Sequence, residues 1–234
     1  MNIVAQASRF VLDIIYPANC CLCEQGDDIM PCGELARGLR WCDSPHLCNN
    51  CFRELSPVTI SKTIAGIPMT GGMNSCANLV KMVSEMKYHG VRGLAWPLAE
   101  LVVKAVEKSV QNYGEVDVLV PVPMHKSRRR DRGFNQAELL AELASLATGI
   151  IVDNRLVSRE RATVQQAKID IKLEDRQENI SGCYKLLTQN YDSLRIGVID
   201  DLITSGATTA ELVNLLRESG LQVQWVAAAG IVKL

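Results

Sequence analysis

One segment of the chain, residues 198–209, most constrains how it can fold. It begins with apolar residues that predict a buried strand, places Asp200 and Asp201 at the end of that strand, and continues through a loop of small residues into a helix. In open α/β sheets, ligands bind at the carboxyl ends of such strands. The segment therefore predicts both a fold class and the position of a ligand site.

Strands and helices alternate along much of the remaining chain. Apolar, β-branched runs predict further strands at 116–123 and 223–232, and turns with short strands are expected at 56–74. Helical periodicity predicts helices at 3–15, 78–89, 94–110, 136–148 and 209–219. Strands that alternate with helices form βαβ units, so we expect an α/β fold with a mainly parallel, twisted sheet flanked by helices.

The loop that follows the two acids matches the chemistry of a phosphorylated sugar. It contains Thr204, Ser205, Gly206, Ala207 and Thr208. Hydroxyl groups and the free N–H groups of a helix start bind phosphate, and glycine lets the backbone approach closely. Two carboxylates would repel a phosphate, but they accept hydrogen bonds from sugar hydroxyls or lie near Mg²⁺. The alternative, a capped helix after a core strand, explains one polar residue but not the whole set.

This segment resembles the phosphoribosyltransferase signature, which is an apolar strand, two acids, two further residues and then Thr-Ser-Gly-x-Thr. The resemblance implies a type I phosphoribosyltransferase-like fold that binds phosphoribosyl pyrophosphate (PRPP) with Mg²⁺. It implies that Asp200 and Asp201 are catalytic residues that hold the ribose hydroxyls. It also implies that residues 204–208 surround the 5′-phosphate.

A strongly basic stretch follows the predicted strand at 116–123. Lys126–Arg132 holds five basic residues and one acid, a local charge of +4 on a chain of net charge −1. We predict a loop here that binds pyrophosphate or another polyanion through Arg128, Arg130, Arg132, Gly133 and Asn135. The alternative is a solvated surface loop, but its position at the same sheet edge as the acid pair favours binding. The arginines exceed what one pyrophosphate needs, so single-stranded DNA is a further candidate ligand.

The same stretch, Pro-Val-Pro followed by a basic run and Arg-Gly-Phe-Asn-Gln-Ala, resembles the hallmark of the ComF family. Further matches occur in the family's order at 11–17, 86–90, 161–166 and 176–182. The resemblance covers almost the whole chain. It implies a zinc module near the N-terminus and a link to natural transformation, that is, to competence and the use of external DNA, with the DNA-uptake machinery as a possible partner.

Two classes of function follow from these resemblances. The first is an enzyme that transfers phosphoribosyl from PRPP to an unknown acceptor and releases pyrophosphate. The second is a non-enzymatic protein that handles single-stranded DNA during uptake, with PRPP as a regulatory ligand. Consumption of PRPP in the presence of candidate acceptors would discriminate between them.

The cysteines are concentrated near the N-terminus, with seven of the nine at residues 20–51. Two Cys-x-x-Cys pairs are typical of a tetrahedral zinc site and predict the ligands Cys20, Cys23, Cys48 and Cys51. The pairs are far apart, so Cys21, Cys32, Cys42 and His46 remain alternative or additional ligands. We expect a helix and zinc module over residues 1–57 and an α/β domain over 58–234. Cys76 and Cys183 are expected in the core.

The composition excludes several other classes of protein. The chain is 47% apolar and 22% charged, which is ordinary for a globular protein, and its net charge of −1 excludes a globally basic nucleic-acid binder. No apolar run approaches the roughly 18 residues of a membrane span. Because no secretion signal is evident, clustered cysteines predict a reducing, cytoplasmic location.

Overall fold

The computed structural model describes residues 19–25, 47–55, 59–64, 66–161, 182–187 and 193–232. Several expectations fall outside these ranges: the helix at 3–15, the possible metal ligands Cys32, Cys42 and His46, and most of the family matches at 161–182. The domain boundary after residue 57 also stays a prediction.

The elements of the described chain follow the predicted alternation. The helices are α1 (Asn49–Glu54), α2 (Ala77–Tyr88), α3 (Ala95–Tyr113), α4 (Lys126–Arg132), α5 (Gln136–Thr148) and α6 (Ala207–Glu218). The strands are β1 (Ile60–Ile64), β2 (Ile67–Asn74), β3 (Val118–Pro121), β4 (Ile151–Val152), β5 (Val157–Arg159), β6 (Tyr184–Leu186), β7 (Arg195–Ile203) and β8 (Gln222–Ile231). Within these ranges, no helix is both long and apolar enough to cross a bilayer.

Six of the strands form one sheet in the order β1-β2-β8-β7-β3-β4. All neighbours run parallel except β1 and β2, which are antiparallel, so the predicted mainly parallel sheet is confirmed. β5 and β6 form a separate antiparallel pair. In the pairing of β3 with β7, Pro121 lies opposite Ile199, so the chain leaves both strands at the same edge of the sheet. This edge carries the candidate site.

Both faces of the sheet are covered, which explains why β7 and β8 are almost continuously apolar. On one face, α2, α3 and α5 contribute side chains such as Leu79, Leu101 and Leu140 to a first core, which also includes Cys20, Cys48 and Leu55. On the other face, α6 and the β5–β6 pair form a second core with the strands. Helix α2 therefore lies on the first face and helix α6 on the second.

Two local predictions are wrong. The basic stretch is a helix, α4, rather than a loop, because His125 caps its start by accepting a hydrogen bond from the backbone N of Ser127 at 3.2 Å. Gly133, with a φ of 78°, closes its end. Cys76 is exposed just before α2 instead of buried, whereas Cys183 is buried as expected.

Candidate functional site

A cavity of about 180 Å³ opens where β3 and β7 end. Its walls come from the β3–α4 connection, the start of α5 and the β7–α6 connection. Of the residues predicted for a ligand site, the cavity brings together Asp200, Asp201, residues 204–208, Arg128, Arg132 and Asn135. The two predicted halves of the site, acidic and basic, therefore lie around one space.

Asp200 is held on the side of helix α6. Its carboxylate accepts hydrogen bonds from the hydroxyl of Thr209, at 3.0 Å, and from the backbone N of Asp201, at 2.8 Å. Burial and the neighbouring negative charge of Asp201 raise the pKa of Asp200 to about 6. A carboxylate in this position holds a charge that the folded protein does not fully compensate.

Asp201 has a different neighbour, although the sequence treats the two acids as a pair. Its Oδ1 accepts a hydrogen bond from Nζ of Lys87 on α2 at 2.8 Å. Successive residues of a strand point to opposite faces, and α2 lies on the face opposite α6. Each acid is thus positioned by a helix from its own side of the sheet.

The raised pKa of Asp200 predicts how stability depends on pH. Its folded-state pKa of about 6 exceeds the ordinary 3.8, so between these values the folded protein holds more protons and its free energy of unfolding falls as pH rises. A shift of about two pKa units corresponds to about 3 kcal/mol. Asp200→Asn removes this titration, so its unfolding free energy relative to wild type should increase by up to about 3 kcal/mol between pH 4 and 7.

Urea unfolding across this pH range measures the effect. A suitable control is Asp117→Asn, because hydrogen bonds from Arg195 hold the pKa of Asp117 at about 2. The stabilising effect of that carboxylate is present above pH 4 and is lost as pH falls through about 2, which is the opposite sign. Parallel pH curves for wild type and Asp200→Asn would contradict the raised pKa of Asp200.

The β7–α6 connection has the geometry of an anion cradle. Gly206 takes a left-handed conformation, with a φ of 73°, immediately before helix α6. The positive φ favours glycine, and a β-carbon here would lie 3.0 Å from Cδ1 of Ile64, so the Ile64 side chain would have to shift to admit another residue. The hydroxyls of Thr204, Ser205 and Thr208 line the same cavity as the start of the helix. The start of helix α6 and three hydroxyl-bearing residues thus lie around one space, an arrangement suited to an anion.

Helix α4 divides its basic residues between two sides. Arg128 and Arg132 are four residues apart, share one face and line the cavity. Arg129 pairs with Glu138 at 3.0 Å, and the exposed Arg130 and Gly133 do not line the cavity. A loop would have allowed alternate arginines to point inward, whereas a helix selects positions four apart.

Asn135 lies on the cavity wall, but its side-chain amide makes hydrogen bonds that stabilise the fold. Its Nδ2 donates to the carbonyl oxygen of Val122 at 3.1 Å, and its Oδ1 accepts from the backbone N of Ala137 at 3.2 Å. It therefore caps α5 and ties that helix to the end of β3.

Outside the segment 198–209, the sequence-based prediction of the site missed three polar lining residues: Lys87, Gln136 and Arg159. Lys87 lies in the segment at 86–90 that matches the ComF family, so a signal was present. Arg159 ends a strand of only three residues, and no signal in the sequence pointed to it. Burial and the nearby charges of Arg159 and Arg132 lower the pKa of Arg128, which indicates a concentrated positive potential.

The four predicted cysteine ligands form a cluster. The sulfurs of Cys20, Cys23, Cys48 and Cys51 all lie within 4.8 Å of one another. Cys23 Sγ and Cys48 Sγ are 3.8 Å apart, close to the edge of about 3.8 Å that a Zn–S distance of about 2.3 Å gives a tetrahedron. Cys48 also caps α1 and accepts a hydrogen bond from the backbone N of Cys51 at 3.4 Å. The cluster could hold a metal ion.

The thiols of this cluster differ in acidity. Although burial opposes it, backbone hydrogen bonds around Cys23, Cys48 and Leu22 lower the pKa of Cys20 to about 6. Burial and the neighbouring thiols raise the pKa of Cys51. Burial raises the pKa of Cys21 to about 12, and its sulfur is not part of the cluster. A bound cation would favour the thiolate form of the four clustered cysteines.

Comparisons with known proteins give named relatives. No protein-family model matches the chain. It is 27% identical to competence protein F of Haemophilus influenzae over 75% of this chain and 74% of that protein. It is 30% identical to the DNA utilization protein YhgH of Salmonella typhi over 59% of this chain and 61% of that protein, less than two thirds of its length. A solved adenine phosphoribosyltransferase is similar at 13% identity and a TM-score of 0.41, covering 78% of this chain and 89% of that one.

Proposed function

We propose that this relative of competence protein F, whose resemblance to the ComF family is confirmed, binds PRPP in the cavity at the sheet edge. We propose further that it transfers the phosphoribosyl group to an acceptor and releases pyrophosphate, in a process connected with the use of external DNA. The observation that carries this is the meeting of acids, hydroxyls and cations around one cavity.

Each group of the cavity has a role in this proposal. The N–H and hydroxyl groups of residues 204–208 hold the 5′-phosphate, and Asp200 and Asp201 accept hydrogen bonds from the ribose hydroxyls. As the bond between C1 and pyrophosphate breaks, negative charge builds on the leaving group, and Arg128 and Arg132 stabilise it. Mg²⁺ carried in with PRPP would reduce the repulsion between phosphates and the acids.

The two faces of helix α4 provide a test. Arg128→Ala with Arg132→Ala should lower PRPP affinity about 30-fold or more, because two charge-assisted contacts are lost. Lys126→Ala with Arg130→Ala removes the same charge from the same helix at exposed positions outside the cavity lining, so affinity should fall no more than about threefold. Calorimetry with PRPP and Mg²⁺ measures both. Equal losses in the two double variants would indicate long-range attraction instead of binding by the cavity arginines.

The second candidate function is the handling of single-stranded DNA, with PRPP as a regulatory ligand. Lys126 and Arg130 favour it, because they form an exposed basic face on α4 that the cavity does not use. The similarity to the DNA utilization protein YhgH supports the same function. If this function is right, the Lys126/Arg130 variant weakens DNA binding and reduces its salt dependence by about two phosphate contacts. Turnover of PRPP with candidate acceptors separates the enzyme from the binding protein.

We also propose that the four-cysteine cluster holds one structural Zn²⁺. The support is the donor set, four sulfurs at separations suited to a tetrahedron. Zinc would fix the two cysteine pairs, which the sequence places far apart, and join them to the first core.

A further inference from the structure

Gln136 is the most unusual polar residue of the cavity. It is the first residue of α5, only 1% exposed, and it lies on the cavity wall. Within the part of the chain that the structure describes, neither Oε1 nor Nε2 of its side chain has a hydrogen-bond partner. A buried amide left in this state is costly to the fold, so its presence requires an explanation.

The adjacent residue, Asn135, shows that the local backbone structure does not explain why the Gln136 amide lacks partners. Asn135 carries the same functional group and is also buried, yet its amide donates to Val122 and accepts from Ala137. The junction between the β3–α4 segment and α5 can therefore satisfy a carboxamide that serves the fold. Gln136, one position later, lies on the cavity wall, and both polar atoms of its side chain are left without such partners.

We propose that Gln136 is a ligand-binding residue, whose carboxamide hydrogen-bonds to the phosphorylated sugar held in the cavity. This rests on the proposed function. The cavity arginines are suited to bind negatively charged groups, and the aspartates are suited to accept hydrogen bonds from hydroxyl groups. A carboxamide both donates and accepts hydrogen bonds and carries no charge. It is suited to a ligand that presents hydroxyl groups beside phosphoryl oxygens, as PRPP does. The free protein bears the cost of an unpaired amide, and the ligand removes that cost.

The test combines stability and binding in one variant. Gln136→Met keeps nearly the same shape and removes both polar atoms. Without ligand, its Tm should rise by about 2–6 °C, because an unpaired buried amide is gone. Its affinity for PRPP should fall about tenfold or more. Gln136→Glu should bind PRPP more weakly still, because it brings a negative charge to an anionic ligand. In the matched control, Asn135→Leu, Tm should fall by several degrees because two internal hydrogen bonds are lost.

The outcomes are distinct. A fall in Tm for Gln136→Met like that of Asn135→Leu would show that the amide supports the fold, and would overturn the inference. Unchanged PRPP affinity in a folded Gln136→Met protein, beside a wild type that binds, would overturn it as well and leave the proposed function intact. A wild type that does not bind PRPP refutes the proposed function, and with it the ligand assigned to Gln136.

Discussion

Replacing Asp200 and Asp201 together by asparagine should abolish PRPP binding, with a loss of affinity of more than about a hundredfold. Charge-assisted hydrogen bonds contribute about 1.5–3 kcal/mol each, and each factor of ten in affinity corresponds to about 1.4 kcal/mol. The asparagine side chains keep the size of the carboxylates but lose their charge. Calorimetry with PRPP and Mg²⁺ measures the change, and circular dichroism establishes that the variant is folded.

The structure allows the contributions of the two acids to PRPP affinity to be distinguished. Asp201→Asn releases Lys87 from its ion pair, which leaves an additional cation at the cavity. Part of the lost affinity should therefore return through attraction to phosphate, so Asp200→Asn should weaken PRPP binding more than Asp201→Asn does. Asp117→Asn, outside the lining of this cavity, controls for a general change in charge. An unchanged affinity in the folded double variant would refute the role of these acids in holding ribose.

Protein purified without chelator should contain about one zinc ion per chain, and Cys48→Ser should lose it. Structural zinc contributes directly to folding, with apparent binding free energies of about 10–16 kcal/mol in zinc-finger peptides. We therefore expect the variant to lose at least several kcal/mol of stability, and chelation of the wild type to have the same effect. Elemental analysis and thermal unfolding measure the two results.

Two other cysteines make matched controls. Cys21 adjoins the cluster but contributes no sulfur to it, and Cys76 is exposed before α2. Cys21→Ser and Cys76→Ser should both keep the metal. Loss of zinc from Cys21→Ser would reassign the ligand set, and wild-type protein with less than about a tenth of an equivalent of zinc would exclude the structural site.

The sequence predicted those features that depend on local pattern. Helical periodicity placed α2 and α5 nearly at their observed bounds, the acid pair lines the cavity, and the four cysteines form a cluster, whereas β7 continues past the acid pair to Ile203. Residues that meet only through the fold were harder to predict. Arg159 reaches the cavity from a separate strand pair, and Lys87 reaches Asp201 across 114 residues of sequence.

Other differences arise from how a short segment is folded. The choice of cavity arginines depended on whether residues 126–132 form a loop or a helix, and the cap at His125 decides it. The unpaired amide of Gln136 is invisible in the sequence, because Asn135 and Gln136 are chemically alike and only the folded chain assigns partners to one of them.

Helix α2 contacts both the cysteine segment and the ligand cavity. Near its start, Nζ of Lys81 donates to the carbonyl oxygen of Leu22 at 3.5 Å, and at its end Lys87 binds Asp201. The buried cysteines belong to the same apolar core as Leu79 and Met82 of this helix. A truncation after residue 57 would fall where the composition of the chain changes, but it would cut through that core. A fragment made to isolate the α/β part would carry an uncovered apolar face on the very helix that positions one of its two acids.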